Sequence, residues 1–271
     1  MKLKFLVPTV IIHITFYILH FISFAQSNFK IVATIDVQAD FFTTDNQSNS
    51  YVVRGNELIK YDKKGKLLYK YSNKNFGNID FVDASNMLRL LVFYKNFSQI
   101  LFLDNTLSLN GEPVSLDKIG FQQTQLVCSS YNNGLWLYNQ QNLELVRIDQ
   151  TLLKTQQTGN LSLLLNIDLK PNYLVEYDNK VYLNNPSTGI LIFDIYGTYY
   201  KTVPIKNVKH FQPIGNDLIY FISDKKVKAY NTKTTEELEF EAPSAEFQNF
   251  RLEMGVLLLQ APKTISIYTA Q

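Results

Sequence analysis

DFFTTDNQSNSYVVRGNELIKYDKKGKLLYKYSN, residues 40–73, decides how this chain folds. With the three residues before it, it divides into four apolar or β-branched runs: Val37 to Thr43, Ser50 to Arg54, Glu57 to Tyr61 and Lys66 to Tyr71. The breaks between them are Asp45 to Asn49, Arg54-Gly55-Asn56 and Asp62-Lys63-Lys64-Gly65. Asn, Asp and Gly tolerate the backbone angles of tight turns, and Asx side chains bond back to the main chain. Strand, turn and strand at this spacing predict a four-stranded antiparallel meander.

The third run and its closing turn residue recur along the chain. The copies are ELIKYD, QILFLD, LELVRID, GILIFD, VKAYN and ISIYT, ending at Asp62, Asp104, Asp149, Asp194, Asn231 and Thr269. The steps are 42, 45, 45, 37 and 38 residues. A period near 40 residues with four short strands per unit predicts an all-β fold, a β-propeller of six four-stranded antiparallel blades. Units two to five fall at 79–116, 121–158, 171–205 and 210–241. Phe-Gln pairs at Phe121-Gln122, Phe211-Gln212 and Phe247-Gln248 are expected to open the inner strands of units three, five and six.

The sixth unit, from Phe247 onward, has room for three strands: FQNFRLE, GVLLLQ and TISIYT. NFKIVATID, before the first unit, supplies the fourth. Phe29 to Ile35 is therefore predicted to be the outer strand of blade six, closing the ring and removing an exposed edge. Runs such as RLLVFY, VLLLQ and GILIFD are apolar on both sides, as expected for blades covered on both faces. NLSLLLN (Asn160 to Asn166) breaks the pattern and reads as a helical turn or an apolar link.

The first 26 residues, MKLKFLVPTVIIHITFYILHFISFAQ, resemble a signal peptide: Lys2 and Lys4, an apolar run from Phe5 to Ile22, then Ser23-Phe24-Ala25. Residues 1–25 are expected to be removed, leaving a propeller domain at 26–271; retention as a membrane anchor is the alternative. The 26 Lys+Arg and 24 Asp+Glu of the whole chain then become 24 and 24. A neutral balance leaves no nucleic-acid footprint and no polybasic tract for lipid. The single cysteine, Cys128, forms no internal disulfide and reads as a small buried hydrophobe.

Catalytic residue types are sparse. One histidine, His210, follows the signal segment, too few for a His-based metal site. The arginines are Arg54, Arg89, Arg147 and Arg251, and the one tryptophan, Trp136, reads as core. No calcium loop, glycine-rich phosphate loop, S-x-D-x-G-x-T-W turn or repeated Trp docking motif is present. No catalytic set, metal or cofactor is expected. Asp40, Asp80 and Asp83 fall on predicted inner strands, so an acidic central site that binds a carbohydrate or small ligand, or cleaves a glycan with two acids as acid and base, is the alternative reading. The Asp62, Asp104, Asp149 and Asp194 series repeats in successive blades and reads as architecture.

What remains is surface. One face of the ring carries the turns between second and third strands and the links between blades. Arg54, Phe76, Tyr94, Lys95 and Phe97 are expected there, with Pro186 to Gly189, Lys225 and Lys226, as aromatics beside cations in an interaction patch. Phe76 and Phe97 are alternatively tucked under their own loops.

SNMLRLLVFYKNFSQILFLDNTLS (Ser85 to Ser108), NNGLWLYNQQNLELVRID and NNPSTGILIFDIYGTY resemble a family of uncharacterised exported propellers of the Bacteroidetes. The resemblance spans the mature chain and implies an envelope location, with no catalytic residues to carry over. A looser similarity extends to six-bladed NHL-type repeats and to the lipoprotein propeller that helps assemble outer-membrane barrels. That lipoprotein has more blades and a lipidated Cys, both missing here. The expectation is a non-enzymatic scaffold in the periplasm or envelope, with a protein partner and without nucleic acid or a membrane span after cleavage.

Overall fold

The computed structural model describes residues 29–215 and 217–270, so the signal segment expected at 1–25 lies outside the described residues. The chain enters on β1 (Phe29–Asp36) and then lays down five complete blades. Blade one is β2 (Phe41–Thr44), β3 (Ser50–Arg54), β4 (Glu57–Tyr61) and β5 (Leu67–Ser72). Blade two is β6 (Phe81–Asp83), β7 (Leu90–Tyr94), β8 (Gln99–Leu103) and β9 (Val114–Ser115). Blade three is β10 (Thr124–Ser130), β11 (Gly134–Asn139), β12 (Glu144–Ile148) and β13 (Lys154–Gln157). Blade four is β14 (Tyr173–Tyr177), β15 (Lys180–Asn185), β16 (Gly189–Asp194) and β17 (Tyr199–Val203). Blade five is β18 (Phe211–Ile214), β19 (Leu218–Ser223), β20 (Lys226–Asn231) and β21 (Glu237–Phe240).

The last three strands are β22 (Asn249–Glu253), β23 (Val256–Ala261) and β24 (Thr264–Ala270). Their sheet is completed by β1, in the order β1-β24-β23-β22. Phe29 lies opposite Ala270 and Asp36 opposite Thr264, in antiparallel register. The molecule is a six-bladed β-propeller.

Six apolar clusters hold the ring, one between each pair of neighbouring blades. Tyr51, Val53 and Leu58 of blade one meet Leu90, Val92 and Tyr94 of blade two. The alternate residues Leu91 and Phe93 point the other way, against Val127, Leu135 and Leu137 of blade three. This explains why β7 and β11 are buried along their whole lengths: a middle strand has no wet face when blades stack on both sides. The seam cluster joins Ile35 and Ile265 of blade six to Phe42 and Val52 of blade one.

The repeated acids are turn formers, as expected. Asp62 Oδ1 accepts the backbone N–H groups of Lys64 and Lys66, and Asp194 Oδ1 those of Tyr196 and Thr198. Asp104 and Asp149 do the same. Thr269 lies within β24 and makes no such turn. NLSLLLN is the helical alternative. Residues Leu161–Leu165 form a short helix, α1, capped at Asn160, whose Oδ1 accepts Leu163 N–H, and stopped by Asn166 at φ 51°.

Some boundaries differ from expectation. The inner strand of blade one starts at Phe41, not Val37, because Val37 N–H is spent on Lys263 O of the blade-six turn. Of the three Phe-Gln pairs, only Phe211-Gln212 lies in an inner strand. Phe121 instead accepts the Thr124 hydroxyl in a turn before β10. Gln248 precedes β22.

Gly189 opens β16 at φ 131°, and a Cβ there would lie 2.2 Å from Val203 O. Gly120 also has positive φ, 84°, but nothing within 4 Å of its Cβ position. Gly189→Ala is therefore expected to cost at least ~3 kcal/mol in urea unfolding, against ~1 kcal/mol for Gly120→Ala. Equal costs would mean that backbone conformation alone, and not the close approach of β17, sets the requirement at Gly189.

Candidate functional site: the axial channel

The inner strands all run the same way along the axis. Asp40, Asp80 and His210, at their starts, border one chamber; Ser85, Tyr177 and Met254, at or just past their ends, border another. The upper chamber, at the strand starts, holds 270 Å³ and the lower one 350 Å³. In an antiparallel meander the second-to-third turns and the interblade links share the upper face.

A belt of side chains separates the chambers and lines both: Phe81, Tyr173, Gln212 and Arg251, with Thr43 and Val82. Its Arg251 and Gln212 are satisfied by neighbours on the lower side. Arg251 donates from Nε to Thr44 Oγ1 at 3.1 Å and pairs with Glu253 Oε1 at 3.1 Å. Gln212 Nε2 donates to Glu253 Oε1 at 2.8 Å, and Gln212 Oε1 accepts Leu252 N–H. Burial pushes the Glu253 carboxyl above its ordinary pKa despite the Arg251 charge. Tyr173 is likewise pushed up by desolvation, against the opposing pull of Arg251.

Tyr173 is the hub of the upper chamber. Its ring meets Phe81 at 6.1 Å, His210 at 5.3 Å and Phe211 at 5.2 Å, all edge-on. The Phe81 contact joins blades two and four directly across the channel. None of the described residues of β10 lines either chamber. Blade three is clasped from both sides instead. Asp83 accepts Ser129 N–H at 2.8 Å, and Glu176 accepts from the Ser130 hydroxyl, Tyr131 N–H and Trp136 Nε1 at 2.6, 2.9 and 2.8 Å. Cys128 and Trp136 are fully buried behind this clasp, as expected.

The structure brings Asp40 and Asp80 together at the upper chamber. Each holds its own blade's turn: Gly55 N–H donates to Asp40 Oδ2 at 2.6 Å and Lys95 N–H to Asp80 Oδ2 at 2.8 Å. Asp83 sits at the opposite end of its strand, in the lower chamber, and is buried and structural. His210 stands open to the upper chamber yet crowded by protein; desolvation, then the Arg251 and Lys209 charges, hold its imidazole pKa below the ordinary value.

The expected surface patch is only partly assembled. Phe76 packs against Tyr94 at 5.4 Å and Phe97 at 6.2 Å. Phe97 is half exposed and Phe76 half-buried, tucked under the link as the alternative had it. Tyr94 is a correction: it is fully buried, because β7 is covered on both faces, and it contributes no surface. Arg54 is exposed and paired with Glu57 at 2.6 Å, an ion pair of little energetic weight. Lys95 spends its backbone N–H on Asp80. Sequence reasoning missed Tyr173, Gln212 and Arg251. Gln212 carried a signal, as the polar half of the Phe-Gln pair; Arg251 carried another, as the only arginine of the sixth unit.

No protein-family model matches the chain, and no curated protein sequence does either. Solved structures do match. The WD40 domain of Pan2 from Neurospora crassa superposes with a TM-score of 0.65 at 9% identity, over 90% of this chain and 96% of that one. Virginiamycin B lyase from Staphylococcus aureus gives 0.61 at 11% identity, over 90% and 100%. BamB from Moraxella catarrhalis gives 0.52 at 12%, over 85% and 82%. At these identities the likeness is one of fold. Among the described residues, no helix is long and apolar enough to cross a membrane.

Two outcomes are expected from this geometry. Glu176→Ala strands the Trp136 and Ser130 donors and should cost ~3 kcal/mol in denaturant unfolding; a loss below ~1 kcal/mol would mean the clasp is dispensable. In an NMR titration, His210 should protonate below the ordinary value of about 6.5, and Arg251→Gln should raise its midpoint. Because the folded chain keeps this imidazole neutral where the unfolded chain is charged, stability should fall as pH drops through the ordinary histidine range. His210→Gln should remove that part of the dependence.

Proposed function

We propose that this chain is an exported, non-enzymatic scaffold of the bacterial envelope that docks a protein partner on its upper face. The observation that carries this reading is α1. Its helix is fixed to the body by Leu161, buried in the core between blades three and four, and by the Leu161 N–H bond to Leu143 O. Leu163 and Leu164 are left 81% and 62% exposed on this capped turn. Two leucines held in water on a fixed support are what an interface core requires. Phe97, on the same face, is 49% exposed.

The apolar leader at 5–22 and the resemblance of 85–108 to exported Bacteroidetes propellers support the envelope location. The WD40 likeness fits a scaffold, as a likeness of fold. Commitment of Asp40 and Asp80 to backbone donors weighs against acid–base turnover, since each carboxylate is held for its turn. A second reading, a small-ligand site, is favoured by the upper chamber itself.

Burying each leucine contributes ~1.5–3 kcal/mol. A Leu163→Asp, Leu164→Asp double variant should therefore fold normally yet lose at least ~100-fold in partner affinity. The check is quantitative crosslinking of native and variant chains in envelope extracts. Equal recovery with both chains would contradict the docking face. Export is checked separately: mass spectrometry of the envelope-fraction protein should read Gln26 as its first residue, and a chain still beginning at Met1 would contradict cleavage.

A further inference from the structure

We propose that the upper chamber binds an organic cation: a primary ammonium or guanidinium on a slender stem, supplied by a free amine or by a lysine or arginine side chain. This rests on the small-ligand reading above and is independent of the α1 docking face. Size restricts the ligand first. At 270 Å³ the chamber falls just under the range of about 300–1,000 Å³ usual for drug-sized ligands. It admits one slender group and not a sugar chain.

Charge selects the sign. Arg251 is paired with Glu253 at 3.1 Å, on the far side of the belt from the strand-start acids. Desolvation, then the Arg251 and Lys209 charges, hold the His210 imidazole below its ordinary pKa. Asp40 and Asp80 are left, each with one oxygen on a backbone N–H and the other uncommitted. Neither makes an ion pair among the described residues. Two uncompensated carboxylates at a concave mouth with low-dielectric walls focus a negative potential on whatever enters.

Chemistry narrows it further. Phe81 and Tyr173 form the inner wall, and aromatic faces attract ammonium and guanidinium groups. Among the described residues, no group of three or more His, Cys, Asp or Glu is placed to hold a metal ion. Two carboxylates beside aromatic rings suit an organic cation better than a hard inorganic one, which needs six or more oxygens.

The test is isothermal titration of the mature chain with agmatine and n-butylamine, with n-butanol as the uncharged control. Both amines should bind saturably and n-butanol should not. D40N and D80N keep an acceptor for the Gly55 and Lys95 N–H groups, so both should fold. Each should weaken binding at least about tenfold. A blocked pentapeptide with a central lysine separates the sources: tighter binding of the peptide points to a protein side chain, tighter binding of the free amine to a small molecule. Absence of saturable amine binding, equal binding of n-butanol, or unchanged affinity in folded D40N and D80N would overturn the assignment. None of these results bears on crosslinking at α1, so the two readings fail separately.

Discussion

Closure of the ring is the constraint on which the rest of this structure depends. Each of the six apolar clusters is shared between two blades, so no blade buries its own faces alone. The seam is where the chain must supply that closure from distant sequence. β1 adds the fourth strand to blade six and sends Ile35, followed by Val37 just past its end, into the cluster that also holds Phe42 and Val52 of blade one. The strand therefore does two things: it covers the edge of β24, and it carries apolar side chains across to the first blade. Its outward side keeps Ile31 and Val32 exposed, beside the register shift between Ile31 and Ala33. A bulge of this kind bends an edge strand and makes it a poorer template for other chains.

Closure also explains how the channel is built. Inner strands crowd at the axis, and the chain resolves that crowding unequally. Phe81 and Tyr173 meet in front of blade three, which is then fastened by Asp83 and Glu176 rather than by channel contacts. Arg147 strengthens the same region from behind, donating to Ser130 Oγ, Thr155 Oγ1 and Tyr131 O while stacking on the Tyr131 ring. Acids in this protein thus fall into distinct kinds. Those after third strands shape turns, Asp83 and Glu176 join blades, and Asp40 and Asp80 hold turns at the edge of the upper chamber.

Local features were readable in the sequence because local spacing causes them. The turn acids, the four-strand units, the two-sided apolar strands and the spare N-terminal strand all follow from period and turn chemistry. Tyr94 was misplaced for a reason within reach: RLLVFY already implied a strand covered on both faces, and Tyr94 closes that run. The belt was not readable, because Tyr173, Gln212 and Arg251 line the channel with Phe81 and Thr43 only through the curvature of the ring. No spacing rule links residues on blades one, two, four, five and six. The exposure of Leu163 and Leu164 was hidden similarly, since LSLLL does not show which leucines face the body until α1 docks on Leu143.

The most direct measurement of ring closure is hydrogen exchange by mass spectrometry on the peptide covering Phe29–Asp36. If β1 seals the ring, the alternate amides that bond β24 should exchange as slowly as those of β23 and β24, opening only with the whole blade. Exchange of that peptide at the rate of the surface turns, with β24 still protected, would show a ring that holds without its N-terminal strand.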